Sequence, residues 1–119
     1  MPLVPARLMD TRDGTGAPRG VVGPGATVPL RVTGVGGVPT SGVTAVVLNV
    51  TAVGPTAPGH VIVYPAGQPR PGVSNLNLTP GLTLPNLVVV KTGTNGVVNL
   101  YNNTGSTDLI ADVAGYFTG

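Results

Sequence analysis

The chain has 119 residues, of which 8% are charged and none is cysteine, tryptophan or glutamate. It has one histidine and one lysine, against 19 glycines and 13 prolines. Acid–base, nucleophilic and metal chemistry need clusters of Cys, His, Asp, Glu or Lys side chains. The composition therefore predicts a protein that is not an enzyme and has no cofactor or metal. This length is typical of one domain with its own core, and we predict a single domain over residues 1–119.

The net charge of +2 comes from single, scattered cations. Nucleic-acid binding requires clustered cations, so we expect no nucleic-acid partner. No stretch approaches the ~20 apolar residues of a membrane span, and we expect none. The N-terminal residues 1–5 have neither the charged nor the apolar region of a signal peptide. We expect either a piece of a secreted protein or a whole protein that leaves the cell by another route.

Short segments rich in Val, Leu and Thr follow one another, and Gly or Pro interrupts nearly every window that a helix would need. The segment 43–53 is the longest, and because it is apolar on both faces in its middle we expect it to be a central strand. The full set of expected strands is 27–33, 43–53, 60–64, 74–78, 86–91, 97–101 and 107–113, with 116–117 closing the chain. Short strands joined by short turns predict an all-β fold, an antiparallel β-sandwich of jelly-roll or Greek-key type with about seven to nine strands.

Two kinds of connection stand out between these strands. The Asn95-Gly96 step predicts a hairpin between 86–91 and 97–101, because both residues tolerate positive φ. The segments 13–26 and 65–73 are rich in Gly and Pro and predict long loops. Long ordered loops at the end of a sandwich often carry binding sites.

The charged residues at the start of the chain predict a structural ionic cluster. Asp112 interrupts an apolar strand, so we expect its carboxylate to be buried and to need a cation. Arg7 and Arg12 flank Asp10, and either arginine could pair with Asp112 and join the two ends of the chain. The oxygen-rich run from Asp10 through Asp13 also invites a calcium site, but Arg12 occupies the position of a ligand and would repel the ion.

Amide and aromatic side chains near the turns offer a possible carbohydrate site, because amides suit sugar hydroxyls and aromatic faces suit C–H groups. The candidate ligand-binding residues are Tyr64, Asn75, Asn77, Tyr101, Asn102 and Asn103. The alternative is that the asparagines bind loop backbone, as they commonly do in turns. The sequence has no G-x-S-x-G motif of a serine hydrolase, so we interpret His60 as a polar residue at a strand start.

The chain has an opening phrase at residues 7–12 (R-L-M-D-T-R) and a closing phrase at residues 108–117 (D-L-I-A-D-V-A-G-Y-F). Together with the rest of 85–117 and with 43–53, 59–67 and 74–77, these segments resemble a β-domain of actinobacterial exported proteins. That domain opens with an R-L-L-D-T-R phrase and closes with D-L-I-x-D-V-x-G-Y-F. The resemblance implies a non-catalytic accessory module displayed outside the cell, and it carries over no catalytic residue. A single copy beginning at Met1 would also suit a virion protein of a phage from such a host.

We therefore expect a structural or adhesive module on the exterior of a cell envelope or virion. Two alternatives remain open: a capsid or tail decoration protein of an actinobacterial phage, and a lectin-like carbohydrate-binding module. A small domain with few charges needs cover for its edge strands, so we expect self-association or a capsid or envelope protein partner, with a glycan as a further option. The expected location is extracellular, at the cell surface or on a virion.

Overall fold

The computed structural model describes residues 1–119, which form an all-β sandwich of eight strands. Most strand ends are flanked by Gly, Pro or polar turn residues, as expected for segments that reverse direction often. The strands are β1 (Pro2–Asp10), β2 (Ala26–Arg31), β3 (Val43–Val53), β4 (Gly59–Pro65), β5 (Leu76–Leu78), β6 (Leu84–Lys91), β7 (Val97–Asn102) and β8 (Asp108–Thr118).

The strands form two antiparallel sheets, the first in the order β1-β8-β3-β6 and the second in the order β2-β7-β4-β5. Strand 1 pairs with 8, 2 with 7, 3 with 6 and 4 with 5. This nested pairing is that of an antiparallel ribbon rolled into two sheets, which is the jelly-roll arrangement. The predicted fold class is confirmed, and 43–53 is an inner strand of the first sheet, as expected.

The core lies between the sheets and is made almost wholly of aliphatic side chains. Twenty-one buried residues form one cluster that draws on all eight strands. In β3 the buried positions alternate strictly, at Val46, Leu48, Val50 and Ala52. Burying one Val or Leu contributes roughly 1.5–3 kcal/mol, so stability comes from many contacts of similar size.

The first strand, β1, was not among the expected strands. Pro2 and Pro5 lie within it, and prolines argue against a strand unless it is an edge strand. It is an edge strand: it pairs only with β8, and most of residues 2–7 are at least partly exposed. An edge strand with little burial leaves no alternation of apolar residues for sequence reasoning to detect.

The predicted hairpin at Asn95-Gly96 is wrong, although its backbone conformation is as expected. Asn95 and Gly96 have φ of 59° and 71°. The strands that they connect lie in different sheets, β6 beside β3 and β7 between β2 and β4. The turn thus carries the chain across the sandwich, and the Thr94 amide donates to the Ala66 carbonyl at 2.9 Å, which ties the turn to the end of β4.

The turn contains the chain's one helical segment, a three-residue 3₁₀ turn over Thr94–Gly96. The structure therefore has no helix that is long and apolar enough to cross a membrane.

We predict that Gly96→Ala destabilises the fold by more than about 1–2 kcal/mol, the ordinary cost of a left-handed residue with a Cβ. The added Cβ would also collide with the Thr33 side chain. Gly72→Ala is the matched control, because that glycine lacks positive φ and has open space around it. Thermal denaturation followed by circular dichroism measures both variants, and equal melting temperatures would contradict the prediction.

Candidate functional site

The ionic cluster lies on the outer face of the first sheet, where β1 pairs with β8. Arg7 is opposite Asp112 in the register. Its Nε donates to Asp112 Oδ1 at 2.9 Å and its Nη2 to Asp112 Oδ2 at 3.4 Å. Arg7 Nη1 also reaches Asp10 Oδ2 at 3.4 Å, so this guanidinium bridges two carboxylates. The predicted pairing of Asp112 with Arg7 is therefore present.

The expected burial of Asp112 is wrong, because its side chain is 24% exposed and that of Arg7 is 46% exposed. Asp112 lies on the outer face beside Asn49, and nothing covers that face deeply enough to exclude water. An ion pair with this exposure contributes little to stability. The ion pair is a surface contact between β1 and β8, and we do not expect it to be a main source of their stability.

The buried carboxylate of the cluster is Asp10, whose side chain is 3% exposed. Arg12 binds it with its backbone N–H and Nε on Oδ1, both at 3.0 Å, and with Nη2 on Oδ2 at 2.9 Å. These side-chain hydrogen bonds outweigh desolvation and lower the pKa of Asp10 below its ordinary value of 3.8. The pKa of Arg12 is raised by the same contact.

The Asp10–Asp13 segment is committed to contacts within the chain, in an arrangement that does not gather oxygens around an ion. Asp13 Oδ1 accepts from the Thr15 amide at 2.9 Å and from Thr15 Oγ1 at 2.7 Å, and these bonds lower the pKa of Asp13. No group of three or more His, Asp or Glu side chains is positioned to hold a metal ion. Both carboxylates in this turn therefore act as local hydrogen-bond acceptors.

Sequence reasoning missed Thr11, which also links the turn after β1 to β8 and, unlike the Arg7–Asp112 ion pair, is buried. Thr11 is 1% exposed. Its Oγ1 accepts from the Leu109 amide at 3.0 Å and donates to Asp108 Oδ1 at 2.8 Å, while its own amide donates to the Leu109 carbonyl at 3.1 Å. A lone Thr between charged residues gives no pattern from which this role could have been read.

The proposed carbohydrate residues divide into two groups, of which the first binds backbone. Asn75 Oδ1 accepts from the Val63 amide at 2.6 Å, and Asn103 Oδ1 accepts from the His60 amide at 2.7 Å. Asn102 is fully buried, and its Nδ2 lies 2.9–3.3 Å from the carbonyls of Val22, Gly23 and Gly105, while its Oδ1 has no partner. These three asparagines fix loops, as the alternative interpretation of the sequence held.

The second group shares the outer face of the second sheet. Tyr101 and Tyr64 point outwards from neighbouring strands, and Asn77 is opposite His60 one strand further along. Tyr64 is 9% exposed, and the Arg70 guanidinium lies 3.7 Å from the centroid of the Tyr101 ring. The loop 66–75 thus folds across this face and caps one side of the Tyr101 ring. Carbohydrate binding by these residues stays a prediction, and the structure leaves it little free aromatic surface.

The largest cleft lies elsewhere, at the end of the sandwich where β2, β4 and β6 finish. It has a volume of about 560 Å³ and lies between the loop after β2 and the turn after β6. Its lining is hydroxyl- and glycine-rich, with Arg31 and Asn95 on its wall and no carboxylate. It is an open, polar groove.

The outer face of the first sheet has a second, apolar half beside β6. We call this the apolar half-face and define it as Ala45, Val47, Leu87, Val89 and Phe117. In the register Val47 is opposite Val89, and Ala45 is opposite Phe117. Leu87, Val89 and Phe117 are 61%, 62% and 50% exposed. Lys91, opposite Ala45, is the charged residue at its margin.

We predict that Thr11→Val costs about 1–3 kcal/mol of unfolding free energy, because it leaves the buried Leu109 amide without its acceptor. Thr27→Val, at an exposed position of β2, is the matched control and should be close to neutral. Asp112→Ala should lower the unfolding free energy less than Thr11→Val does. Chemical denaturation measures all three, and an Asp112→Ala effect larger than that of Thr11→Val would contradict this assignment.

We predict a loss of stability in acid that depends on Asp10. Because the folded-state pKa of Asp10 is lowered, its contribution is complete above the unfolded pKa of 3.8 and is lost as pH falls through the lower folded value. Asp10→Asn should lower the melting temperature at pH 7, and the difference from the wild type should shrink below about pH 4. A difference that stays constant from pH 7 to pH 2 would show that Asp10 is not the group responsible.

The opening and closing phrases of the resemblance, residues 7–12 and 108–117, lie on the paired strands β1 and β8 and the turn after β1. Comparison of the chain with protein-family models, with curated proteins and with solved structures finds no match. The resemblance to an actinobacterial exported domain therefore stays a prediction.

Proposed function

We propose that this chain is a non-catalytic structural module on the exterior of a cell envelope or virion, and that it packs against its neighbours there through the apolar half-face. The observation that carries the proposal is the apolar half-face itself. Three large side chains, each at least half exposed, lie together on one side of a sheet. Contiguous exposed apolar surface of this kind is typical of an interaction surface, whereas single exposed apolar residues are not.

The distribution of charge supports the same proposal. The ionic cluster balances two arginines with two aspartates beside β1, and the one charged side chain at the margin of the half-face is Lys91. A neighbour that docks on the β6 side therefore has to desolvate few charged side chains, and the desolvation of unpaired charges is costly. The jelly roll also occurs among capsid proteins, but that likeness concerns the fold and does not by itself indicate a function.

A decoration protein of a phage virion is the more specific form of this proposal. A small module that is held by contacts on one sheet face can repeat over a lattice, because each copy needs only one apolar patch and one complementary site. The phage interpretation and the cell-envelope interpretation share the same surface chemistry and differ in where the protein is found.

We predict that Leu87→Lys reduces the amount of tagged protein retained on the exterior of cells or particles of the source organism by at least several-fold. A lysine at this position adds a charge that would be desolvated on docking. Thr27→Lys adds the same charge at an exposed position on the other sheet and should leave retention unchanged. Immunogold electron microscopy and quantitative blotting of washed cells and particles measure the location and the amount.

Label confined to the cell interior would overturn the proposed location. Equal losses for Leu87→Lys and Thr27→Lys would overturn the role of the apolar half-face. Circular dichroism melting of both variants establishes that neither result comes from unfolding.

A further inference from the structure

We propose that two copies of this chain pair along the free edge of β6, in an antiparallel register centred on Val88, so that their first sheets join into one continuous sheet. The inference deepens the proposed function, on which it rests, because it names a second copy as one of the neighbours. It is based on the backbone N–H and C=O groups of β6, whereas the apolar half-face is defined by side chains.

The backbone groups on one side of β6 have no partner within the chain. The Thr92 amide donates to the Thr44 carbonyl at 3.1 Å, and the register continues through Val90 opposite Val46. Because bonding alternates along an antiparallel strand, the even-numbered residues of β6 bond to β3 and the odd-numbered residues point their N–H and C=O groups away. No turn or loop hydrogen bond uses the N–H groups of Leu87 or Val89, and the alternation of bonding with β3 leaves both pointing to the free edge.

Pro85 fits this assignment. A proline within a sheet is tolerated at an edge where its missing N–H would face outwards, and Pro85 is an odd-numbered residue of β6. The strand therefore presents four outward carbonyls, of Pro85, Leu87, Val89 and Lys91, but outward N–H groups only from Leu87 onwards.

The other three edges of the sandwich are protected against pairing. β1 contains Pro2 and Pro5, and β2 contains Pro29 in its middle. β5 has only three residues. Short edge strands and prolines are the usual means by which proteins prevent edge-to-edge association. In β6 the run from Leu87 to Val90 contains neither a proline nor a charge, so it is the edge that remains open.

The sequence of β6 is complementary to itself about Val88. In an antiparallel pair with a two-fold axis at Val88, Leu87 is opposite Val89 of the second copy, and the reverse pair follows by symmetry. Both residues have outward-pointing backbone groups, so each such pair exchanges two hydrogen bonds. At each end the Lys91 amide donates to the Pro85 carbonyl of the second copy, while the Lys91 carbonyl has no donor opposite it because proline lacks an N–H.

Neighbouring registers match less well. An axis at Leu87 sets Pro85 opposite Val89, so that the Val89 carbonyl loses its donor. An axis at Val89 sets Lys91 opposite Leu87, and a charged side chain then lies across from an apolar one. The Val88 register pairs Leu87 with Val89 in the middle of the strand, both fully hydrogen-bonded, and leaves Pro85 opposite Lys91 only at its ends, which is the favourable cross-strand arrangement.

The paired edge also extends the apolar half-face. Val47 and Val89 of one copy would continue directly into Leu87 and Val89 of the second, while the two ionic clusters stay at the far edges of the joined sheet. A strand of eight residues is much shorter than the 20–30 residues per side of a standard interface. We therefore expect a weak, reversible dimer that neighbouring contacts on a surface would strengthen.

The first test is sedimentation velocity from about 10 µM to 1 mM, a range that spans weak dimers. The wild type should show a reversible dimer, and Val89→Pro should weaken association at least tenfold, because it removes an outward N–H while keeping an apolar side chain. Val89→Thr is the matched control, since it keeps the N–H group and should retain most of the association. A strictly monomeric wild type, or equal association of Val89→Pro and wild type, would overturn the inference.

The second test fixes the register and does not depend on whether the proline variant folds. The chain has no cysteine, so a single introduced thiol reports one position. Across the axis, Val88→Cys residues would have Cα atoms about 4.5 Å apart, within the range of a disulfide. Val90→Cys is the control with matched burial, and its Cα atoms would be about 14 Å apart.

Under mild oxidation, Val88→Cys should form covalent dimer at least tenfold faster than Val90→Cys. Equal rates would overturn the Val88 register. The two proposals fail separately: if Leu87→Lys lowers surface retention but the wild type is monomeric and Val88→Cys does not cross-link, then the edge pairing is wrong and the proposed function stands.

Discussion

The structure depends on one constraint, which is that two four-stranded sheets share a single aliphatic core. Val46, Leu48 and Val50 of β3 point into that core. Because side chains alternate along a strand, the residues between them must point outwards. Val47 then lies beside Val89, and Asn49 lies between Asp112 and Leu87. The division of the outer face into an ionic half and an apolar half follows from the register of β3 with its two neighbours.

Because the chain has few charged residues, the ionic half of the outer face holds a large share of them. Four of the ten charged residues belong to the cluster of Arg7, Asp10, Arg12 and Asp112, where they neutralise one another. The opposite side of the same sheet is left with few charges that would have to be desolvated against another apolar surface. Thr11 meanwhile joins the turn after β1 to β8 through neutral and charge-assisted hydrogen bonds. The contacts that join the two ends of the chain thus involve no charged residue of β6.

Burial that repeats along a strand could be read from the sequence, and contacts between distant segments could not. The segment 43–53, apolar on both faces in its middle, and the aliphatic runs of β4, β7 and β8 predicted the sandwich and its inner strand. β1 was missed because its prolines and exposure hide its period. The Asn95-Gly96 turn predicted its own dihedral angles, but those angles do not decide which sheet the next strand enters. In the ionic cluster the Arg7–Asp112 pairing followed from charge, whereas the burial of Asp10 instead of Asp112 depends on the position of each in the folded sheet.

The most direct test of the account is amide hydrogen exchange at β6 measured as a function of protein concentration. The N–H groups of Leu87 and Val89 point to the free edge, whereas those of Val88 and Val90 are bonded to β3. If two copies pair along β6, protection of the Leu87 and Val89 amides is low in dilute solution and rises with concentration, while that of Val88 and Val90 stays high throughout. Protection of Leu87 and Val89 that does not change with concentration would contradict it.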